Sequence, residues 1–331
     1  DRIIKQSNLY FGNNTGSYSS PSSSVRTANY TYDAVDRVIR VINPDQSFKT
    51  INFSGWNISV FDENNHRKDF ELNGYDKISQ IREYNGAQTY RTNYWYDSGD
   101  NIIAIKDSNG SNYNFTFDML GRRIKTINPD KGILNYTYDP AGNLITQKDN
   151  RNITVYFSYD SINRLIRKNS SLESINYTYD LTKNNTLSKI TEINLTINYD
   201  YDNRLRIVKE DKIIDNRNNS LRYDYDSLNR IKDKYLPGNK IINFSYDSQG
   251  KLSSIKDFLN ITYNEDGLVL KRIYQNGLKS NFIYDSNNNR LTKLTTDNKQ
   301  VLLYQYDSVG NVKGINDTYH VINYSMLYDD L

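Results

Sequence analysis

The chain has 331 residues, with 42 Lys and Arg against 39 Asp and Glu and a formal net charge of +3. That near balance gives no electrostatic case for nucleic acid or an anionic membrane, and no run of about 18 apolar residues is present to span a bilayer. The absence of Cys removes disulfides, zinc–thiolate sites and cysteine nucleophiles together. A chain of this length exceeds what one compact core usually holds, which points to several domains or a repetitive architecture. Tyrosine is the anomaly, with 30 copies beside 2 Met and 2 Trp. With abundant Asn, Ser and Thr, this is a β-rich, turn-rich composition.

In chain order, the opening "DRIIKQSNLY" lacks Met and lacks a basic-then-apolar leader, so either a signal was removed or the chain starts inside a longer one. "GNNTGSYSSPSSS" (Gly12 to Ser24) is a Ser-rich loop insertion. From Tyr32 onward one phrase recurs. Tyr or Phe before an Asp falls at Tyr32, Tyr75, Tyr96, Phe117, Tyr138, Tyr159, Tyr179, Tyr201, Tyr225, Tyr246, Tyr263, Tyr284, Tyr306 and Tyr328, at intervals close to 21 residues. Asn264 stands in for Asp in one copy, and Gly55-Trp56 marks a degenerate unit. A fixed period in this range means stacked supersecondary units.

Each unit parses alike. In "ILNYTYDPAGNLITQKDN" (Ile133 to Asn150), "LNYTY" alternates with period two and reads as a strand. "DPAGN" is a turn: Asp139 can accept backbone N–H bonds, Pro140 presets φ, and Gly142 or Asn143 tolerates positive φ. "LITQK" returns as a second strand, and a second turn follows. One unit is a β-hairpin, and residues 1–331 read as a single array of about fifteen hairpins with no helix signal. About thirty strands at roughly 4.8 Å give a twisted sheet that must coil or close, so the expected fold is all-β, tandem hairpins coiled into a spiral or tube-like sheet. Along "NYTYD" the two Tyr share one face, so their rows form aromatic ladders between hairpins.

Tyr-x-Tyr-Asp-x-x-(Gly/Asn)-(Arg/Asn/Lys)-(Leu/Ile), best seen in "YTYDPAGNL", "FSYDSQGKL", "YQYDSVGNV" and "FTFDMLGRR", resembles the YD repeat of the RHS (rearrangement hotspot) family. The resemblance covers nearly the whole chain. It implies one of the structures such repeats build: hollow β-shells of polymorphic toxins and Tc-toxin C components, the barrel of teneurin adhesion proteins, or bacterial wall-associated proteins.

Two further patterns concern partners. The closing Tyr328, Asp329, Asp330 and Leu331, joined to the opening Asp1, Arg2, Ile3, Ile4 and Lys5, rebuild the phrase "YDAVDRVIR" of Tyr32 to Arg40. Strand completion between subunits would give a head-to-tail polymer with self as partner; the alternative is a window cut from a longer continuous chain. Asn-x-Ser/Thr occurs at Asn13, Asn29, Asn52, Asn57, Asn109, Asn114, Asn135, Asn152, Asn169, Asn176, Asn184, Asn194, Asn218, Asn243, Asn260, Asn316 and Asn323. Composition alone would give about seven such sequons. Six of them (Asn29, Asn114, Asn135, Asn176, Asn243 and Asn260) share one slot opposite the Tyr ladder. Repetition can copy one accidental sequon; the functional reading is N-linked glycans on an extracellular or cell-surface protein.

Chemistry is sparse. His66 and His320 are far apart with no matching cluster, and no Ser-His-Asp set, P-loop or dinucleotide motif is visible. The repeated Asp residues match no calcium loop and read as turn caps. Trp95 takes an outward slot where neighbouring units carry Thr. The sequence therefore predicts no enzyme and no cofactor. The leading reading is a YD-repeat filament, sheath or surface appendage; the alternatives are part of an RHS shell enclosing a toxin, or a glycan-binding adhesin.

Overall fold

The computed structural model describes residues 2–7 and 26–328. The Ser-rich stretch Gly12 to Ser24 with Asn13, together with Asp1, Asp329, Asp330 and Leu331, lies outside the described residues. Among the described residues there are thirty β-strands and no helix. The predicted all-β hairpin array is therefore what the chain forms.

The chain divides into two compact units, one made of Asp1–Asn93 with Asp247–Leu331 and the other of Tyr94–Tyr246. In each unit strands adjacent in sequence pair antiparallel. In the second unit Asn112–Phe117 pairs with Arg123–Asn128, Arg123–Asn128 with Gly132–Tyr138, and Gly132–Tyr138 with Leu144–Lys148. In the first unit Lys5–Ser7 pairs with Thr27–Tyr32, and the run continues through Val38–Ile42 and Phe48–Ser54. Its later segment pairs Leu259–Tyr263 with Val269–Tyr274, and so on to Val312–Asp317 with Ile322–Ser325.

The period-two pattern explains the burial. In Ser174–Tyr179 (SINYTY), Asn176 and Thr178 are exposed while Tyr177 and Tyr179 are half-buried. Asn112–Phe117 and Thr154–Tyr159 repeat the alternation. Val41 is the one buried hydrophobic residue among the described ones, and no large side chain there is fully buried. Apolar burial is thus spread along rows of half-covered rings instead of being concentrated in one core.

One feature recurs that the alternation does not contain. In the hairpins of Tyr32, Phe117, Tyr138, Tyr159, Tyr179, Tyr201, Tyr225, Tyr263, Tyr284 and Tyr306 the register slips by one residue at that ring. In the unit read at Tyr75 the slip falls at Leu72, and Tyr75 itself is exposed in the turn capped by Asn73. A bulge at a fixed place bends and twists each hairpin the same way.

Candidate functional site

The Tyr-Asp turns share one construction. At Asp118, the Asp N–H donates to the Arg122 carbonyl (2.9 Å) and the Gly121 N–H donates back to the Asp118 carbonyl (3.0 Å). One carboxylate oxygen accepts the N–H groups of Leu120 and Arg122, each at 2.9 Å. The fourth turn residue has positive φ: Gly121 at 73°, Gly142 at 88°, Asn163 at 62° and Asn229 at 64°. This explains the Gly/Asn of the motif, since those residues tolerate the left-handed region. The Asp residues are turn caps, as the sequence suggested.

The residue after that Gly or Asn does the linking. Arg164 donates through Nε to Asp160 (2.7 Å) and through its terminal nitrogens to Asp180 of the next turn (3.1 and 2.7 Å). Its guanidinium lies 4.4 Å from the centre of the Tyr179 ring. The Tyr179 hydroxyl donates to the Leu165 carbonyl, the first residue after Arg164, at 2.9 Å. The pattern repeats: Arg206 lies over Tyr225 (4.4 Å) and Arg230 over Tyr246 (4.2 Å), with Tyr225 bonded to the Ile207 carbonyl (2.6 Å) and Tyr246 to the Ile231 carbonyl (2.7 Å). Where the slot holds Arg164, Arg206 or Arg230, one unit is thus fastened to the next by an Asp–Arg–Tyr–carbonyl chain. Where it holds Asn143, the Tyr–carbonyl bond remains, from Tyr159 to Leu144 (3.0 Å). The aromatic row was legible; the Arg that covers the ring in these units was not singled out, although its place four residues after Asp160, Asp202 and Asp226 was the available signal.

These contacts set the electrostatics. The Arg164 N–H, opposed by partial burial and reinforced by the Arg164 side chain, holds the Asp160 carboxyl below its usual value. The same causes in the same order lower Asp118 and Asp226. Burial comes first in raising the Tyr179 hydroxyl.

The second site is a seam within the first unit. The turns on the opposite strand ends from the Tyr-Asp turns, those around Asp45 and Asn64, meet Tyr-Asp turns far along the chain. Asn288 donates to the Asp45 carboxylate (3.1 Å), Asn64 donates to the Asp307 carboxylate (3.0 Å), and the Ser308 N–H donates to Asn64 Oδ1 (3.0 Å). Arg26 reaches both Asp266 and Asn289. The Asp45–Asn288 and Asn64–Asp307 partners are both 243 residues apart, so the seam keeps register. Nothing in the sequence pattern marked it.

Of the junction residues, Arg2 lies 5.7 Å from the Tyr32 ring centre and pairs with Asp36 (3.0 Å), while the Tyr32 hydroxyl bonds the Ile3 carbonyl (2.6 Å). Ile4 accepts the Tyr30 N–H (3.0 Å), and Lys5 opposes Asn29. Arg2 to Lys5 thus occupy the place of a return strand and its clamp. Tyr328 is exposed outside any strand, with its hydroxyl 3.8 Å from Met326 sulfur. The structure does not bring Tyr328 to Arg2–Lys5.

The sequon slot is on the exposed face for Asn114, Asn135, Asn176 and Asn260, whereas Asn29 and Asn243 are half-buried. Asn243 is also engaged, donating to Asp233 at 2.6 Å. Of the remaining described sequons Asn169 is half-buried, and Asn52, Asn57, Asn109, Asn152, Asn184, Asn194, Asn218, Asn316 and Asn323 are exposed. Trp95 is exposed in its outward slot. His66 lies beside Asp62 (3.3 Å) and His320 beside Asp317 (2.6 Å), each in a turn. Among the described residues no group of three or more His, Asp or Glu is placed to hold a metal, and no helix is long and apolar enough to cross a membrane.

Comparison with known proteins accords with this geometry. The teneurin YD-shell family model matches residues 152–257. The crystal structure of TcdB2-TccC3-TEV superposes with a TM-score of 0.82 at 15% identity over 92% of this chain and 19% of that one. TcdB2-TccC3-Cdc42 gives 0.81 at 15% over 89% and 18%, and the Photorhabdus luminescens Tc holotoxin pore carrying TccC3-D651A gives 0.80 at 15% over 88% and 18%. The chain thus spans less than a fifth of the length of these structures' chains. No curated protein matches the sequence. The family model over residues 152–257 and the shared fold support the resemblance of the repeat to the RHS/YD-repeat family.

Proposed function

We propose that the chain is a non-enzymatic segment of a YD-repeat wall, in which hairpins clamp to their neighbours and one row of turns seats on another. The seam carries this reading. Bonds between opposite turn rows, two of them at the same spacing of 243 residues, are what a coiled repeat strip needs to become a continuous barrier. Likeness of fold to TcdB2-TccC3 supports the same direction, with enclosure of a second polypeptide as the wall's task. Cryo-electron microscopy of the native protein tests it. An enclosed volume bounded by one sheet layer is expected; an extended, open strip would sink the reading.

A second reading has its own observation. Arg2 and Ile3 already stand in clamp positions against Tyr32, so a Tyr-Asp turn supplied by another subunit would complete a hairpin there. That reading is a head-to-tail filament, and the same images decide it. We further propose an extracellular or cell-surface location with N-linked glycans at the exposed sequons of the slot opposite the Tyr rows. The support is four slot residues, Asn114, Asn135, Asn176 and Asn260, presented on the exposed face. Site-resolved mass spectrometry of native material should find glycan at these four and none at Asn243, whose amide is already bonded. Unmodified Asn at all four would end the proposal.

A further inference from the structure

The two turns that form the seam's receiving side have counterparts in the second unit. In the seam, Asp62 accepts the N–H groups of Asn64 (2.9 Å) and His66 (2.7 Å), and Asn65 donates back to the Asp62 carbonyl (3.0 Å). That arrangement leaves the Asn64 amide free to reach Asp307 and Ser308. At Asp107 the same bonds recur: Asn109 and Ser111 donate to the carboxylate at 3.0 and 2.8 Å, and Gly110 donates back at 3.1 Å. Asn109 holds the place of Asn64.

The next turn on that side, Asn128-Pro129-Asp130-Lys131, repeats the sequence of Asn43-Pro44-Asp45-Gln46 in a tighter loop, with Asn128 opposite Gly132 where Ile42 opposes Phe48. Asp130 matches Asp45 in sequence, and here the Asn turn precedes the Asp turn instead of following it. Here Asn128 caps the turn, accepting the N–H groups of Asp130 (2.8 Å) and Lys131 (3.0 Å), so the Asp130 carboxylate is not used within its own turn. Asn109 and Asp130 are both exposed. Neither the Asn109 amide nor the Asp130 carboxylate has a hydrogen bond or ion pair among the described residues. One strand hairpin, Asn112–Phe117 with Arg123–Asn128, separates the two turns and holds them on the same strand ends.

We propose that the edge carrying Asn109 and Asp130 is a docking surface for the Tyr-Asp turns of a second copy of this chain. This rests on the wall reading above and names which edge makes the contact between copies. The occupant follows from continuity with the seam, where turns of this chain already satisfy the same two side-chain positions. The Asn109 amide offers a donor to a turn Asp and an acceptor to the N–H that follows it, as Asn64 does to Asp307 and Ser308. Asp130 offers the acceptor that Asn288 finds in Asp45. Asn109 also heads a sequon, so a glycan there and docking at this edge exclude each other by volume.

The test is sedimentation velocity on the chain made in a host without N-glycosylation, across a wide concentration range. Self-association is expected, weakened by about tenfold or more when Asn109→Ala and Asp130→Ala are combined, because charged and neutral hydrogen bonds are lost together. Asn109→Asp, which keeps the turn but sets carboxylate against carboxylate, is expected to weaken it as well. Circular dichroism and melting temperature should not change in either variant. Cross-links joining Lys131 of an isotopically heavy copy to Lys183 or Lys251 of a light one would place the contact. A wild-type monomer at every concentration, or dimers indifferent to the double variant, would overturn the proposal. A closed single-chain wall seen by microscopy beside such a monomer would leave the wall reading intact and remove this one alone.

Discussion

Tyr179 shows what one side chain contributes here. Its ring is half-buried under Arg164 and its hydroxyl closes on the Leu165 carbonyl at 2.9 Å. Replacing it by Phe keeps the ring and strands the carbonyl, so Tyr179→Phe is expected to cost about 1 kcal/mol, read as a lower urea midpoint with unchanged slope. An unchanged midpoint would mean water replaces the bond at no loss. The Tyr rows could be read from spacing alone, because alternation puts Tyr177 and Tyr179 on one face whatever the turn does. The hydroxyl's partner could not, because it lies 14 residues back on the preceding strand and nothing in the repeat names it. Leu205 makes the opposite case. It sits at φ 59° in the position where other turns carry Gly, Asn or Asp, and it is 53% exposed. A branched residue held there is strained, and little burial is lost on removing it. Leu205→Gly is expected to raise stability by up to about 1 kcal/mol, seen as a higher melting temperature. A fall would show that the Leu205 contacts outweigh its backbone cost.

At the scale of the hairpin, the turn is a charged object. Asp160 accepts two N–H bonds and one from the Arg164 side chain, and its carboxyl is held below the ordinary 3.8. A carboxyl whose value is depressed by folding contributes stability that is present above its unfolded value and is lost as pH falls through the folded one. Since Asp118, Asp160 and Asp226 all shift downward, the array should be stable to about pH 4 and weaken steadily below it. Asp160→Asn keeps an acceptor but removes the charge that holds Arg164. It is expected to be less stable than wild type at neutral pH, with the gap closing on acidification. A gap constant down to pH 3 would show that geometry, not charge, is what Asp160 supplies. The turn itself was plain in "DPAGN", since Asp, Pro and Gly each have one conformational use there. The bulge was not, because nothing in residue identity distinguishes a Tyr that opposes one residue from a Tyr that opposes two.

For the whole molecule, sheet pairing alone does not decide how far a strip of hairpins coils, because every pairing in each unit is between neighbours in sequence. The seam adds the contacts that pairing lacks. It was illegible for a simple reason: Asn64 and Asp307 are each ordinary turn residues 243 positions apart, and nothing in either marks the other as its partner. The bonds they make are few, so their effect is local. The Ser308 N–H donates to Asn64 Oδ1, whereas the Gly310 and Asn311 N–H groups donate to the Asp307 carboxylate inside their own turn. Asn64→Ala should therefore strip hydrogen-exchange protection from the Ser308 amide while those of Gly310 and Asn311 stay protected, since local opening follows local bonding. Equal loss at all three amides would mean the seam holds the Asp307 turn folded. Retained protection at Ser308 would mean the seam does not form in solution, and with it would go the ground for reading this strip as a wall.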